Sequence, residues 1–152
     1  MIIKKIEYRG LKITSNMNKG VFINGVLYIP NGTGPSQIFG SKTLGKVSLF
    51  ILKKVPSDIF QRPASFMHDI MCKIGGKEKD FKRANKLMRK VAISHVHDYF
   101  AVYNPLRYVA DVMMWRNYYA VSGSIGREAF NFNDNPPPIL HTLEEYRSLR
   151  PE

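Results

Sequence analysis

The sequence predicts an α+β domain: an antiparallel N-terminal set of strands with a hairpin, followed by three α-helices. Three observations carry this reading. Residues 21–30, VFINGVLYIP, hold two apolar runs joined by Asn24-Gly25. Residues 62–98 read as two amphipathic helices separated by Gly75-Gly76. Residues 106–122 are apolar over most of a helical circumference and follow the entry pair Asn104-Pro105.

Taken in order, residues 2–8 are a short strand ending near Gly10, and residues 11–15 pair with it. Asn24-Gly25 suits the two positive-φ positions of a type I′ turn, and the flanking β-branched and aromatic residues suit strands. Pro30 ends the hairpin's second strand. Residues 31–45 are rich in Gly and small polar residues and read as loop. Residues 46–55, KVSLFILKKV, read as a buried strand stopped by Pro56. The first helix opens with Pro63 at its first position, where a missing N–H costs nothing. Its apolar face is Phe66, Met67, Ile70, Met71 and Ile74, and Gly75-Gly76 stops it. The second helix runs from about Glu78 to Ser94 with a core stripe of Phe81, Ala84, Leu87, Met88 and Val91. Its polar face is cationic: Lys79, Lys82, Arg83, Lys86, Arg89 and Lys90. Glu78 and Asp80 sit at its N-terminus, where the helix dipole favours acids. Residues 94–103 fit either a helical extension or a short strand. Asn104 caps the third helix, which pairs Arg107 with Asp111 at i, i+4 and ends at Gly123. So much apolar surface implies a central helix or one at a subunit interface. Residues 1–130 form one domain, and 131–152, with Pro136-Pro137-Pro138, form a tail that packs on a neighbour or stays mobile.

The 152 residues suffice for a buried core, and 44% apolar with 23% charged residues is a folded composition. The single cysteine, Cys72, excludes an internal disulfide and a cysteine-only zinc site. No apolar run approaches the roughly 18 residues of a membrane span, and the first ten residues lack signal-peptide anatomy. The net charge is +11, from 23 Lys+Arg against 12 Asp+Glu, with the excess in the first two thirds of the chain. Such a field attracts nucleic acid, anionic lipid or an acidic protein, and it also serves simply to keep a protein soluble.

Several constellations have the residue types for chemistry. His68-Asp69 pairs a base with a metal ligand, yet adjacent helical residues point about 100° apart and do not bond each other. An isolated pair of this kind is more often a core histidine beside a solvated acid. His95, His97 and Asp98, with His68 and Asp69, resemble the ligand set of HD phosphohydrolases, but His95 and His97 share a face only on a strand. Cys72 lies four residues after His68, in reach for a thiolate–imidazole pair, although its apolar neighbours favour a buried thiol. Gly40-Ser41-Lys42-Thr43 imitates only the end of a phosphate loop. The six cations of the second helix can track phosphates, but aromatics to stack on bases are absent from its polar face, which argues against specific single-strand reading.

The order ASFMHDIMCK, RANKLMRKVAIS and WRNYYAVSGSIGREAF resembles a phage and prophage family known only as domain of unknown function thirteen-fifty-three, over roughly residues 50–130. Ala64, His68 and Asp69 fit its His-Asp helix, and VPSDIFQRP is similar to a shortened form of its entry segment. The same pattern is similar to the core of secreted and parvoviral phospholipases of the A class. That resemblance implies His68 as the general base, Asp69 as a calcium ligand, and Asn85 where an orienting acid belongs. The sequence departs from it twice, with Asn85 for the acid and Cys72 for a tyrosine, and residues 31–37 bear only a vague likeness to a calcium loop. An amide fixes a histidine tautomer but cannot stabilise an imidazolium.

The resulting expectation is a non-enzymatic phage- or virus-associated structural or accessory protein. It needs no cofactor and binds other virion or phage proteins through its basic face and tail, with nucleic acid or anionic lipid as further partners. It belongs in a virion or the host cytoplasm, within an oligomer or larger assembly. The alternative is a calcium-dependent phospholipase-like hydrolase with His68 as general base.

Overall fold

The computed structural model describes residues 1–17, 19–28, 57–139, 141–142 and 144–145, with Ser57 and Asp58 described by backbone alone. The expected glycine-rich loop, the strand over 46–55 and most of the last ten residues lie outside this set. Four strands, β1 (Lys5–Tyr8), β2 (Leu11–Ser15), β3 (Val21–Ile23) and β4 (Val26–Tyr28), form an antiparallel meander in sequence order. Four helices follow: α1 (Ser57–Ile74), α2 (Glu78–Tyr99), α3 (Pro105–Val121) and the short α4 (Ser124–Ala129). The fold is α+β, as the sequence predicts.

Asn24 (φ 48°) and Gly25 (φ 83°) form the expected turn and set the register Ile23 opposite Val26. Arg9 (φ 49°) and Gly10 (φ 80°) repeat the geometry between β1 and β2, opposing Tyr8 and Leu11. Strand alternation then puts Ile6, Tyr8, Leu11, Ile13, Val21, Ile23 and Tyr28 inward, where they join the helical core. That core is rich in methionine: Met67, Met71, Met88 and Met114 are all fully or nearly fully buried. Thioethers adapt their shape and fill irregular gaps between helices.

α1 departs from expectation at its start. It begins at Ser57, so Pro63 lies inside it and not at its first position. Pro63 cannot supply the N–H that the Ile59 carbonyl would accept, a loss that disfavours helix. Tertiary packing outweighs it. Phe60 and Gln61, both upstream of Pro63, are buried. Phe60 packs against Tyr99 and Phe100, and the Gln61 side-chain Oε1 accepts from Asn117 Nδ2 at 2.9 Å.

α2 runs five residues past Ser94, so the ambiguous stretch is helix. Asp80 accepts from the Lys77 backbone N–H at 2.9 Å and closes the first turn. α3 begins as expected: the Asn104 side chain accepts from the Leu106 N–H at 3.0 Å, and Pro105 stands at N1. It is not central, however. Only Ala110, Met114, Asn117 and Val121 are buried along it. Asp111 pairs with His97 across the helix pair, not with Arg107. α2 and α3 run antiparallel, since His97 meets Asp111, Arg89 meets Trp115, and Asn85 meets Ser122.

The C-terminus of α1 ties the sheet, the helices and the residues after α4 together. The Cys72 carbonyl accepts from the Asn131 N–H (3.0 Å), Lys73 from Asn131 Nδ2 (3.1 Å) and Ile74 from Asn133 Nδ2 (3.1 Å). The Gly75 carbonyl accepts from the Tyr8 hydroxyl (2.7 Å) and Arg9 Nη1 (3.0 Å). Helix ends leave such carbonyls without intrahelical donors, and here four residues from two segments, 8–9 and 131–133, supply them. Gly75 has φ +71°, and a Cβ on it would stand 1.7 Å from the Asn131 carbonyl oxygen. Only glycine lets residues 131–133 dock against this turn. Burial pushes the Tyr8 hydroxyl's pKa up, so the phenol stays a donor.

Candidate functional site

The helical register of α1 and α2 brings His68 and Asn85 together. Both face the seam between the helices, and His68 Nε2 lies 2.7 Å from Asn85 Oδ1. Asn85 Nδ2 donates to Ser122 Oγ at 3.4 Å, and Ser122 Oγ donates to the Tyr118 carbonyl at 2.7 Å. These roles are mutually consistent only if Nε2 carries the proton and donates to the Asn85 carbonyl. The amide thus fixes one tautomer and leaves Nδ1 as the ring's acceptor. His68 keeps part of its surface open to solvent but is closely surrounded. Burial holds its pKa below the usual histidine value, with the Asn85 hydrogen bond and the Asp69 charge acting against that shift.

Cys72 Sγ lies 3.7 Å from His68 Nδ1 and 3.6 Å from Nε2. Near-equal distances place the sulfur beside the ring and not in line with one nitrogen's lone pair. Burial, then the Asp69 charge, pushes the thiol up to about 12. This is a buried thiol and not a thiolate–imidazolium pair.

Asp69 points away from His68. Its Oδ2 pairs with Lys73 Nζ at 2.9 Å and lies 3.5 Å from the Tyr28 hydroxyl, to which Lys73 Nζ also donates. A lysine on the carboxylate neutralises the charge a calcium ion would need, and hard cations take six or more oxygens. Among the described residues no group of three or more His, Cys, Asp or Glu side chains is placed to hold a metal. The described donors therefore do not fit calcium.

The phosphohydrolase-like set is also separated. On a helix His95 and His97 point to different sides. His95 is buried with Nε2 unpartnered among the described residues. His97 faces outward onto Asp111, with Nε2 2.9 and 2.8 Å from its two oxygens. Burial lowers the His95 pKa, opposed by the Asp98 charge and aided by Lys4.

The basic face of α2 is displayed. Lys79, Lys82, Arg83, Lys86 and Lys90 are exposed, and their spacing puts them in one row. The acids of the first turn are engaged elsewhere: Glu78 pairs with Arg127 at 2.7 Å, and Asp80 accepts from Lys77 N. Arg83 Nη2 also donates to the Glu7 carbonyl at 3.1 Å. Arg89 turns toward α3, its guanidinium 4.0 Å from the Trp115 ring centroid and 4.6 Å from that of Tyr118.

Sequence reasoning missed four participants. Lys73 was legible as the i, i+4 partner of Asp69. Trp115 stood in the sequence only as one of many apolar residues of α3, and its exposure is set by tertiary packing. Tyr28 and Ser122 reach the site only through tertiary packing and left no local signal. No helix among the described residues is long and apolar enough to cross a membrane. No family model, curated protein or solved structure matches the chain.

Proposed function

We propose that the chain is a non-enzymatic accessory or structural protein that holds a polyanionic partner on the outer face of α2. One observation carries this reading: five exposed cations stand in a row, and no acid interrupts it. A row of cations binds a polyanion well, because binding releases the counter-ions condensed on the polymer. A phage or virus setting, in the virion or the host cytoplasm and with virion proteins among its partners, is supported by the order of the three segments that resemble the prophage family.

The test is binding to immobilised heparin and to oligonucleotides over a salt series. The expected result is a steep fall in affinity with salt, and a slope shallower by about two for Lys82→Glu with Lys86→Glu. Absence of binding at low salt, or identical slopes for the variant, removes the proposal.

A second reading is favoured by the 2.7 Å contact of His68 with Asn85, which leaves Nδ1 as an acceptor able to take a proton from water. This would make the chain a phospholipase-like hydrolase. It predicts fatty-acid release from anionic vesicles, measured with and without calcium, that His68→Ala abolishes. Lack of release in either condition eliminates it.

A further inference from the structure

We propose that the α2/α3 face binds single-stranded nucleic acid, with phosphates on the α2 cations and bases stacked on the aromatics of α3. This rests on the polyanion-binding reading above and names its ligand. α3 displays Tyr108 (57% exposed), Val112 (68%), Trp115 (39%) and Tyr119 (65%) at i, i+4, i+7 and i+11, one exposed row on the helix. α2 displays its lysines on the adjoining surface. The antiparallel packing makes the two rows overlap at Lys86, Arg89 and Lys90 on one side and Trp115 and Tyr119 on the other.

Arg89 joins the rows chemically. Its guanidinium lies over Trp115, and the Trp115 and Tyr119 rings are tilted only 33° apart with centroids at 5.9 Å. A planar cation on an aromatic ring, with a second ring beside it and phosphate ligands alongside, is what a base and its backbone need. Each row spans about 16 Å at 1.5 Å per helical residue. The two rows run side by side only from Lys86 to Lys90 and from Trp115 to Tyr119, about 6 Å, which holds about two stacked nucleotides at roughly 3.4 Å each.

Two other occupants are less well matched. A second copy of the chain would bring surfaces of the same charge together at a net +11 each. A membrane interface also takes Trp and Tyr beside cations, but anchoring there needs apolar side chains that enter the acyl region, and Val112 is the row's sole aliphatic member.

Trp115 is the sole tryptophan, so its fluorescence reports directly on this face. The experiment titrates the whole chain with a thymidine oligonucleotide of about 12 nucleotides, with heparin, and with vesicles of mixed neutral and anionic phospholipid. The expected result is saturable quenching of Trp115 by the oligonucleotide. Tyr119→Ala should weaken oligonucleotide binding about tenfold while leaving heparin affinity within about twofold. Lys86→Glu should weaken both. Tyr119 is exposed, and unchanged far-ultraviolet circular dichroism establishes that the variant folds. If the oligonucleotide binds no differently from heparin after Tyr119→Ala, or leaves Trp115 unquenched, the proposal falls while the basic-face reading stands. A Trp115 response to vesicles alone assigns the face to membrane instead. Absence of binding to either polyanion removes both.

Discussion

The two sides of α2 make opposite use of their polar residues. On the inner side, Asn85 and His68 hydrogen-bond each other in the seam, Ser122 continues the chain, and Cys72 packs against the ring. On the outer side, one residue further along, Lys86 begins a surface whose cations and rings stand open to solvent. The inner residues have the identities associated with catalysis, yet the structure gives them the partners of a packed core. The outer residues have the identities of a solvated face and of a core helix, and they make the displayed surface. Residue type alone does not separate site from scaffold. What separates them is whether the polar groups find their partners inside the chain.

The contrast can be broken most severely at the turn supporting the inner side. Gly75→Ala places a methyl group against the Asn131 carbonyl and forces a positive φ on alanine. Stability should fall by roughly 3–5 kcal/mol, or folding should fail, as read from urea melts. A smaller loss, under about 1 kcal/mol, would mean that residues 131–133 do not dock as described.

Cys72 gives the next largest effect. With its pKa pushed up to about 12, iodoacetamide at pH 8 should modify the native thiol roughly a thousandfold more slowly than the urea-unfolded one. Fast native labelling would place the thiol on the surface and reopen a role for the pair with His68.

Asn85→Leu should cost about 2–3 kcal/mol, because it strands His68 Nε2–H and removes the Ser122 contact. Lys86→Ala, its neighbour on the outer side, should change stability by no more than about 0.5 kcal/mol. Equal effects would erase the distinction between the two sides. Asn85→Asp sharpens it differently. A carboxylate on Nε2 should raise the pH at which His68 titrates by roughly 1–3 pH units, measured by NMR of the ring protons.

The pH dependence is the gentlest test. Burial lowers the pKa of both His68 and His95, so the unfolded chain binds protons more readily than the folded one. Stability is therefore fully present above about pH 6.5 and is lost as pH falls from there toward the lower folded values. Urea midpoints at pH 7.5 and 5.5 should show this loss, and His68→Gln should reduce it. A midpoint that rises on acidification would reverse the assignment.

Much of the fold was legible in local sequence. Asn24-Gly25 specifies its hairpin because few residues accept two successive positive φ angles. Asn104-Pro105 specifies the start of α3 because a cap and a missing N–H both suit a helix's first turn. Gly75-Gly76 marks the end of α1 for the same conformational reason. The apolar stripes of α1 and α2 follow from helical periodicity, which also brings His68 and Asn85 to one seam.

Other features depended on contacts distant in sequence. Pro63 argues locally for a helix start, but burial of Phe60 and Gln61 against α2 and α3 extends α1 past it. The lysine row was evident in the sequence of α2, and so was its lack of aromatics. The tertiary structure supplied them from α3, by laying Trp115 and Tyr119 beside Arg89. Hydrophobic periodicity records how much of a helix is apolar, but not which apolar face finds a cover. That is decided by which neighbours the chain brings to it, and here Tyr108, Val112, Trp115 and Tyr119 stay exposed, with Arg89 laid over Trp115.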